Sequence, residues 1–334
     1  MRFLPVFLLC YHTLHAQSGF LKNPDIVWAA EIEQDWIVDN ASLESGKDSG
    51  NVLLKLLRNS PNEACQLAEL VWEAAKNERM PIFKDPSCQK PLRLQEAYSY
   101  FDTVLVVDTQ TPEGRGAVVE MPVRPARVIK AWRLRQVLAY HRKKSQWSTT
   151  IEAIAPLMAV KNERDGSTVL RPIFWFRPDN KRQKLPSRHI VWAKRINSPA
   201  LLLDGLKMVK VSEGFQRPME HQVSALHNNP KIPLYTPDNH QLMTPKQRRQ
   251  VTASSDTIVT FDAETQEARV AVVHNDVDPS LFRKIQLQQS WYWDARLGRL
   301  SICLDGVAAI LEIRNYQGIV RYSAPQFYRR AKSK

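Results

Sequence analysis

Apolar positions fall at helical spacing in two stretches of this chain and alternate in strand fashion through most of the rest. Ala64, Leu67, Ala68, Val71, Trp72 and Ala75 share one side of a helix. Just before them, Ser60-Pro61-Asn62-Glu63 is a capping box with proline at the first helical position. Pro218 predicts a second helix start, with Met219, Val223 and Leu226 on one side and Asn229-Pro230 as the stop. Shorter helices are expected over Asn51–Leu57 and Pro199–Leu206. Strand patterns at Thr103–Val107 and Gly116–Glu120 flank the turn Thr111-Pro112-Glu113-Gly114; Thr257–Phe261 and Ala268–Val273 flank Ala263-Glu264-Thr265-Gln266. Leu138–Tyr140, Trp147–Ala155 and Pro172–Phe176 follow in the first half, and Gln286–Trp293, Leu300–Leu304 and Ile319–Tyr322 in the second. Each half is thus expected to begin with helix and end with strand. Long helices do not alternate with the strands, which predicts an α+β fold of antiparallel sheets with flanking helices.

The two halves also read as imperfect copies. Lys76-Asn77-Glu78-Arg79-Met80-Pro81-Ile82-Phe83 returns as Asn228-Asn229-Pro230-Lys231-Ile232-Pro233-Leu234-Tyr235. Asp102-Thr103-Val104 returns as Asp256-Thr257-Ile258, and Thr150–Leu157 as Cys303–Ile310, in the same order and at nearly constant spacing. A duplicated module buries the same faces twice, so two similar lobes are expected from this internal duplication, over residues 17–187 and 188–334. They would join near Arg177–Arg188, where the chain is polar and basic. What the copies share is apolar patterning, and none of the shared blocks is a reactive constellation.

Charge and the N-terminus change the picture. The chain of 334 residues carries a formal charge of +13, which by itself suggests nucleic acid. However, Met1-Arg2, the apolar run Phe3–Tyr11 and the small residue ending Leu14-His15-Ala16 read as a secretory signal over residues 1–16. A buried N-terminal helix or strand is the alternative. Export implies a soluble protein outside the cytoplasm and no nucleic-acid partner. Removing the signal leaves Cys65, Cys88 and Cys303, an odd count that allows one bridge and one spare thiol in an oxidising compartment. Cys65 and Cys88 lie in one module and are the expected pair, with Cys303 buried. The basic runs Arg133–Arg135, Arg142-Lys143-Lys144 and Lys246-Gln247-Arg248-Arg249 read as solvated faces. Their partners outside the cytoplasm would be acidic protein surfaces, lipid headgroups or cell-wall polymer. The tail Arg329–Lys334 is expected to fray.

The search for chemistry returns little. There is no His-Glu-x-x-His, Cys-x-x-Cys, Gly-x-Ser-x-Gly or glycine-rich phosphate loop, and only 11 glycines. His221, His227 and His240 are close in sequence, but a six-residue step separates the first two onto different helix faces, so they read as surface histidines. His274, Asp276 and Asp278 lack the closing glutamate and glycine turn of a cation loop. No catalytic, metal or cofactor-binding residues are expected, and no cofactor. Phe174-Trp175-Phe176 and Trp291-Tyr292-Trp293 alternate, so the outer members of each triplet share a face. Core is the first reading of these six and subunit contact the second, which makes them the candidate interface aromatics. Trp72 and Ile154 are expected in the core, and Arg142, Lys143 and Lys144 in water.

Ile232-Pro233-Leu234-Tyr235, Met243-Thr244-Pro245, Asp256-Thr257, Asp262–Glu267, Asn275-Asp276-Val277-Asp278-Pro279, Trp291-Tyr292-Trp293-Asp294 and Gly306-Val307-Ala308 occur in the order of the gliding-motility family GldN/PorN. Ile154-Ala155-Pro156 and Arg171-Pro172-Ile173-Phe174-Trp175-Phe176-Arg177-Pro178 carry the resemblance into the first half. It covers most of the mature chain as short blocks. The family pattern departs at Leu138-Ala139-Tyr140-His141, which stands where the second half has Trp291-Tyr292-Trp293-Asp294. The resemblance implies a non-enzymatic periplasmic component of the type IX secretion system. Such a protein would be a homo-oligomer in a ring that binds an outer-membrane lipoprotein and the periplasmic region of an inner-membrane motor protein. From the residues alone, a periplasmic cell-wall hydrolase and a polyanion-binding module stay open as alternatives.

Overall fold

The computed structural model describes residues 18–36, 63–98, 104–108, 117–121, 129–161, 167–180, 189–229, 231–238, 240–261, 268–314, 317 and 319–331. The first half runs α1 (Ser18–Leu21), β1 (Ile26–Trp36), α2 (Glu63–Lys76), α3 (Leu94–Tyr98), β2 (Val104–Asp108), β3 (Ala117–Met121), β4 (Ile129–His141), β5 (Gln146–Lys161) and β6 (Thr168–Pro172). The second runs β7 (Ile190–Asn197), β8 (Leu201–Leu202), β9 (Lys207–Val211), α4 (Pro218–Asn228), α5 (Pro245–Thr252), β10 (Ala253–Phe261), β11 (Ala268–Asp276), β12 (Lys284–Asp294), β13 (Arg299–Arg314) and β14 (Val320–Arg330). Two larger sheets have the orders β6-β5-β4-β1-β9 and β14-β13-β12-β7, with β8 beside β12; β2-β3 and β10-β11 form separate ribbons. All the strand pairs are antiparallel. The architecture is α+β and rich in sheet.

The two long helices follow their sequence signals. In α2, Leu67, Ala68, Val71, Trp72 and Ala75 are buried. In α4, Pro218 stands in the first turn, Met219, Val223 and Leu226 are buried, and Asn229 caps the C-terminus in an extended conformation. The strands are longer than their alternation suggested, because buried runs on both faces of β4, β5, β12 and β13 blur the period of two.

Several expectations are corrected. The second half opens on a strand, β7, rather than a helix, and in the first half the four-residue α1 is followed by the long strand β1 before the long helix α2. Pro199–Leu206 is not helical: Leu201 and Leu202 pair with Ile285 and Lys284, and the Leu203 N–H donates to the Arg283 carbonyl at 3.0 Å. Gly205 then turns the chain at φ +85°, a conformation glycine adopts without strain. Regular pairing in Pro172–Phe176 stops at Pro172, and single bridges hold Trp175 to Phe83 and Phe176 to Ile154. The tail is anchored as far as Arg330, and Arg329 is buried. The signal segment, Asn51–Leu57, both hairpin turns and residues 181–188 of the expected junction lie outside the described residues.

One large apolar cluster draws on both halves. Trp36 of β1 and Trp291 of β12 stand 5.8 Å apart between ring centroids, and Trp28 meets Trp147 edge-on at 5.7 Å. Strand β9 of the second half also extends the first sheet by pairing with β1. Within this interior lies one amide pair: Gln289 Nε2 donates to Gln136 Oε1 at 2.7 Å, and both side chains are fully buried. Each glutamine sits beside a bulge. Register passes from Arg135↔Ala153 to Gln136↔Ile151 in one sheet, and from Gln288↔Gly306 to Gln289↔Leu304 in the other. The extra residues are Glu152 and Asp305, both acidic.

A segment after each long helix straps the outer face of its sheet. Phe83 bridges Pro91 and Trp175, and Tyr235 bridges Leu242 and Tyr328. Each strap holds one non-glycine residue in the left-handed region, Cys88 at φ 52° and His240 at φ 54°.

Candidate interaction surface

All six candidate interface aromatics lie inside this chain. Phe174, Phe176, Trp291 and Trp293 join the large cluster; Tyr292 packs with Ile190, Ala193 and Cys303, and Trp175 with Cys88, Ala153 and Ala155. None is more than 4% exposed. The alternation of each triplet is as expected, with outer members on the inner face. Their burial contributes to the fold, which leaves no member of the sets on the surface as a binding anchor.

Of the expected pair, the Cys65 side chain lies outside the described residues and Cys88 carries a free thiol. It sits under the strap against Ala153 and Trp175, and burial pushes its pKa up, with the Arg177 guanidinium opposing. Cys303 is buried, as expected.

The histidines go to separate places. His221 Nδ1 lies 3.0 Å from the Tyr140 hydroxyl, and burial and then Arg142 push its pKa down. His240 packs edge-on against Tyr328 at 4.4 Å and bonds Gln288. Among the described residues no three His, Cys, Asp or Glu side chains come together as a metal site. A small cleft at the start of α4 is lined by Leu203, Arg217, Met219, Ser280, Phe282 and Arg283; the Arg217–Glu220 ion pair at 2.8 Å belongs to it.

Of the basic runs, Arg133 and Arg135 are part of a charged ladder on the first sheet. Arg133 grips Asp35 with two bonds of 2.7 and 2.9 Å, and Arg135 bonds Glu152 at 3.0 Å. Arg142, Lys143 and Lys144 are exposed on the β4–β5 turn. Sequence reasoning missed what stands beside that turn. The buried Arg329 donates to the carbonyls of Pro233 at 2.8 Å, Lys144 at 3.3 Å and Ser145 at 3.5 Å. Burial pushes its pKa down, and Arg248 adds to that shift. Arg248 itself donates to the carbonyls of Ile232, Leu226 and Asn229 at the end of α4. Arg330 lies over the Tyr235 ring at 4.1 Å and Arg142 over the Phe215 ring at 5.2 Å. The signal that could have found this cluster was Arg329 itself, at the end of an alternating run that the tail reading set aside.

No helix among the described residues is long and apolar enough to cross a membrane. No curated protein matches the chain. Residues 51–204 match the model of the family described as gliding motility associated protein GldN. The match lies mainly over the first half and runs past the expected 187/188 boundary, whereas the second-half blocks from Ile232 onward lie outside it. Residues 51–204 of this chain belong with the GldN family of gliding-motility-associated proteins.

Proposed function

We propose that the chain is a non-enzymatic structural subunit of the type IX protein secretion and gliding machinery. It would be exported by the 1–16 signal and act in the periplasm as part of a ring. There it would bind an outer-membrane lipoprotein and the periplasmic part of the motor complex. The family match over residues 51–204 carries this reading. Buried aromatics, a shared interior and strapped outer faces suit a rigid building block.

We also infer that the two halves are copies of one module. The sheet orders β6-β5-β4-β1 and β14-β13-β12-β7 correspond element by element, as do the helix pairs and ribbons between their strands. The bulges at Glu152 and Asp305, the bridges of Phe83 and Tyr235 and the left-handed Cys88 and His240 support the same correspondence. Convergence on three such local irregularities at nearly one spacing is hard to achieve without duplication.

The test is recovery of the tagged mature protein from crosslinked envelopes, with negative-stain imaging of what comes with it. Rings containing a lipoprotein are expected. A monomer that captures no envelope partner and degrades cell-wall fragments would reverse the proposal.

A further inference from the structure

We propose that the β4–β5 turn and the end of β14 form a docking site for an acidic segment of a partner protein. This deepens the reading of the chain as a binding subunit and rests on it.

Arg142, Lys143 and Lys144 stand exposed on the turn, Arg329 donates to the carbonyls of Lys144 and Ser145 there, and Arg330 follows it at the strand end. Arg329 spends its hydrogen bonds on carbonyls, and no carboxylate among the described residues pairs with it. Asp25 is the carboxylate that reaches the turn. It accepts from the main-chain N–H of Lys143 at 2.8 Å and stands 3.5 Å from His141 Nδ1, so its bonds go to the backbone and a histidine. Elsewhere Arg133, Arg135, Lys207, Arg217 and Lys284 each have a carboxylate partner within the chain. Positive charge left uncompensated, beside a buried guanidinium, attracts an anion.

The form of the cluster selects the kind of anion. Arg142 and Arg330 are laid on aromatic rings, so their guanidinium planes are fixed before a partner arrives, while the buried Arg329, its nitrogens given to three carbonyls, holds the turn in place. Fixed forks suit paired carboxylate oxygens in a folded or extended protein segment. A fluid headgroup layer gains mainly from the number of mobile cations near it, and prior fixation adds little. Lys143 and Lys144, exposed on long stems, would speed encounter and hold the rim.

The experiment uses the mature chain and a fluorescein-labelled twelve-residue glutamate peptide, read by anisotropy at low and high salt. The double variant K143E/K144E is compared with K90E/R93E, which changes the net charge equally at other exposed positions. Unchanged melting of both variants confirms the comparison. Binding should weaken about ten-fold or more in the first variant and less than about two-fold in the second, as expected when four charge units change in contact with the ligand. Arg330→Gln should weaken it as well, by a smaller factor. Equal weakening in both double variants would mean net charge alone and would overturn the site. So would loss of binding to phosphatidylglycerol vesicles in K143E/K144E with the peptide unaffected, which would assign the cluster to lipid. Ring assembly is scored in parallel: assembly failing while the peptide site behaves as stated counts against the ring reading alone.

Discussion

Replacing Gln289 by leucine should destabilise the fold far more than replacing Gln136, although the two amides bond each other. Gln289 Nε2 donates to Gln136 Oε1 at 2.7 Å, and its own Oε1 accepts from Trp291 Nε1 at 3.3 Å. Leucine at 289 therefore leaves two buried polar atoms without partners. At ~1–3 kcal/mol for each, the cost is ~2–5 kcal/mol after some gain from the apolar side chain. Leucine at 136 leaves only Gln289 Nε2 unpaired and also removes Gln136 Nε2, which has no partner now. Its cost should be ~1–2 kcal/mol. The double variant leaves only the Trp291 N–H exposed to an apolar interior, at ~1–3 kcal/mol. The two single costs thus exceed the double, and the coupling should be ~2 kcal/mol. Urea unfolding of the four proteins, followed by tryptophan fluorescence, gives each value. Because Gln136 lies on β4 and Gln289 on β12, coupling also requires both sheets to unfold together. Effects that add within about 0.5 kcal/mol would show the pair to be independent, and the shared interior would have to be abandoned.

Gly306→Ala should cost ~1–3 kcal/mol by overpacking. A Cβ there would press into the Tyr328 ring and come within 2.5 Å of the Arg329 carbonyl, which is backbone and must move; an unchanged urea midpoint would refute the contact. Trp72→Ala should cost ~3–5 kcal/mol, since the indole is buried in α2 with its ring 6.2 Å from Phe174, and an unaltered melting curve would show the helix face misassigned. The Tyr140 phenol, fully buried, is pushed up to about 12, chiefly by burial. Its folded pKa lies above the unfolded value near 10, so the stability it contributes is complete below pH 10 and is lost as pH rises toward 12. Tyr140→Phe should flatten that alkaline loss, and a phenolate absorbance step near pH 10 that the wild type shows and Tyr140→Phe lacks would contradict it. His221 works on the acid side: its folded pKa is depressed, so stability present above about 6.5 falls as pH drops through that value. His221→Gln should remove that part of the acid slope in urea midpoints measured from pH 7 to 5.

Local signals were legible where a stretch carries its own punctuation. Pro218 and Asn229-Pro230 bound α4, and the period of α2 gave its buried face, because capping and helical spacing act within a dozen residues. The opening strands were not legible. Ile26–Trp36 carries apolar residues in succession and then charges, and becomes a strand because β4 and β9 lie on either side of it. Leu201–Leu203 had helix-compatible composition and was drawn into sheet by Lys284 and Ile285, more than eighty residues away. The triplet aromatics show the same limit from the other direction. Alternation told which members share a face, but whether a face meets core or partner depends on what the rest of the chain lays over it. Here the second sheet's outer face is strapped by residues around Tyr235 and His240.

The basic cluster stands where the two sheets differ in chemistry. In the first sheet Ile154 bridges Phe176, and at the matching spacing in the second Val307 pairs with Arg329. Trp175 and Tyr328, one residue earlier, receive the straps through Phe83 and Tyr235. The backbone arrangement is therefore kept while one fully buried phenylalanine is answered by a buried arginine. An apolar side chain there would satisfy the core, as Phe176 does against Trp132 at 6.5 Å. Arginine costs desolvation, visible in its lowered pKa, and recovers part of it from three carbonyls. Those carbonyls belong to the Lys144–Ser145 turn and to Pro233, so the guanidinium also ties the β4–β5 turn of the first half to the strap of the second. A residue that costs stability in one sheet and joins the halves beneath three exposed cations is better explained by what the joined surface binds than by packing.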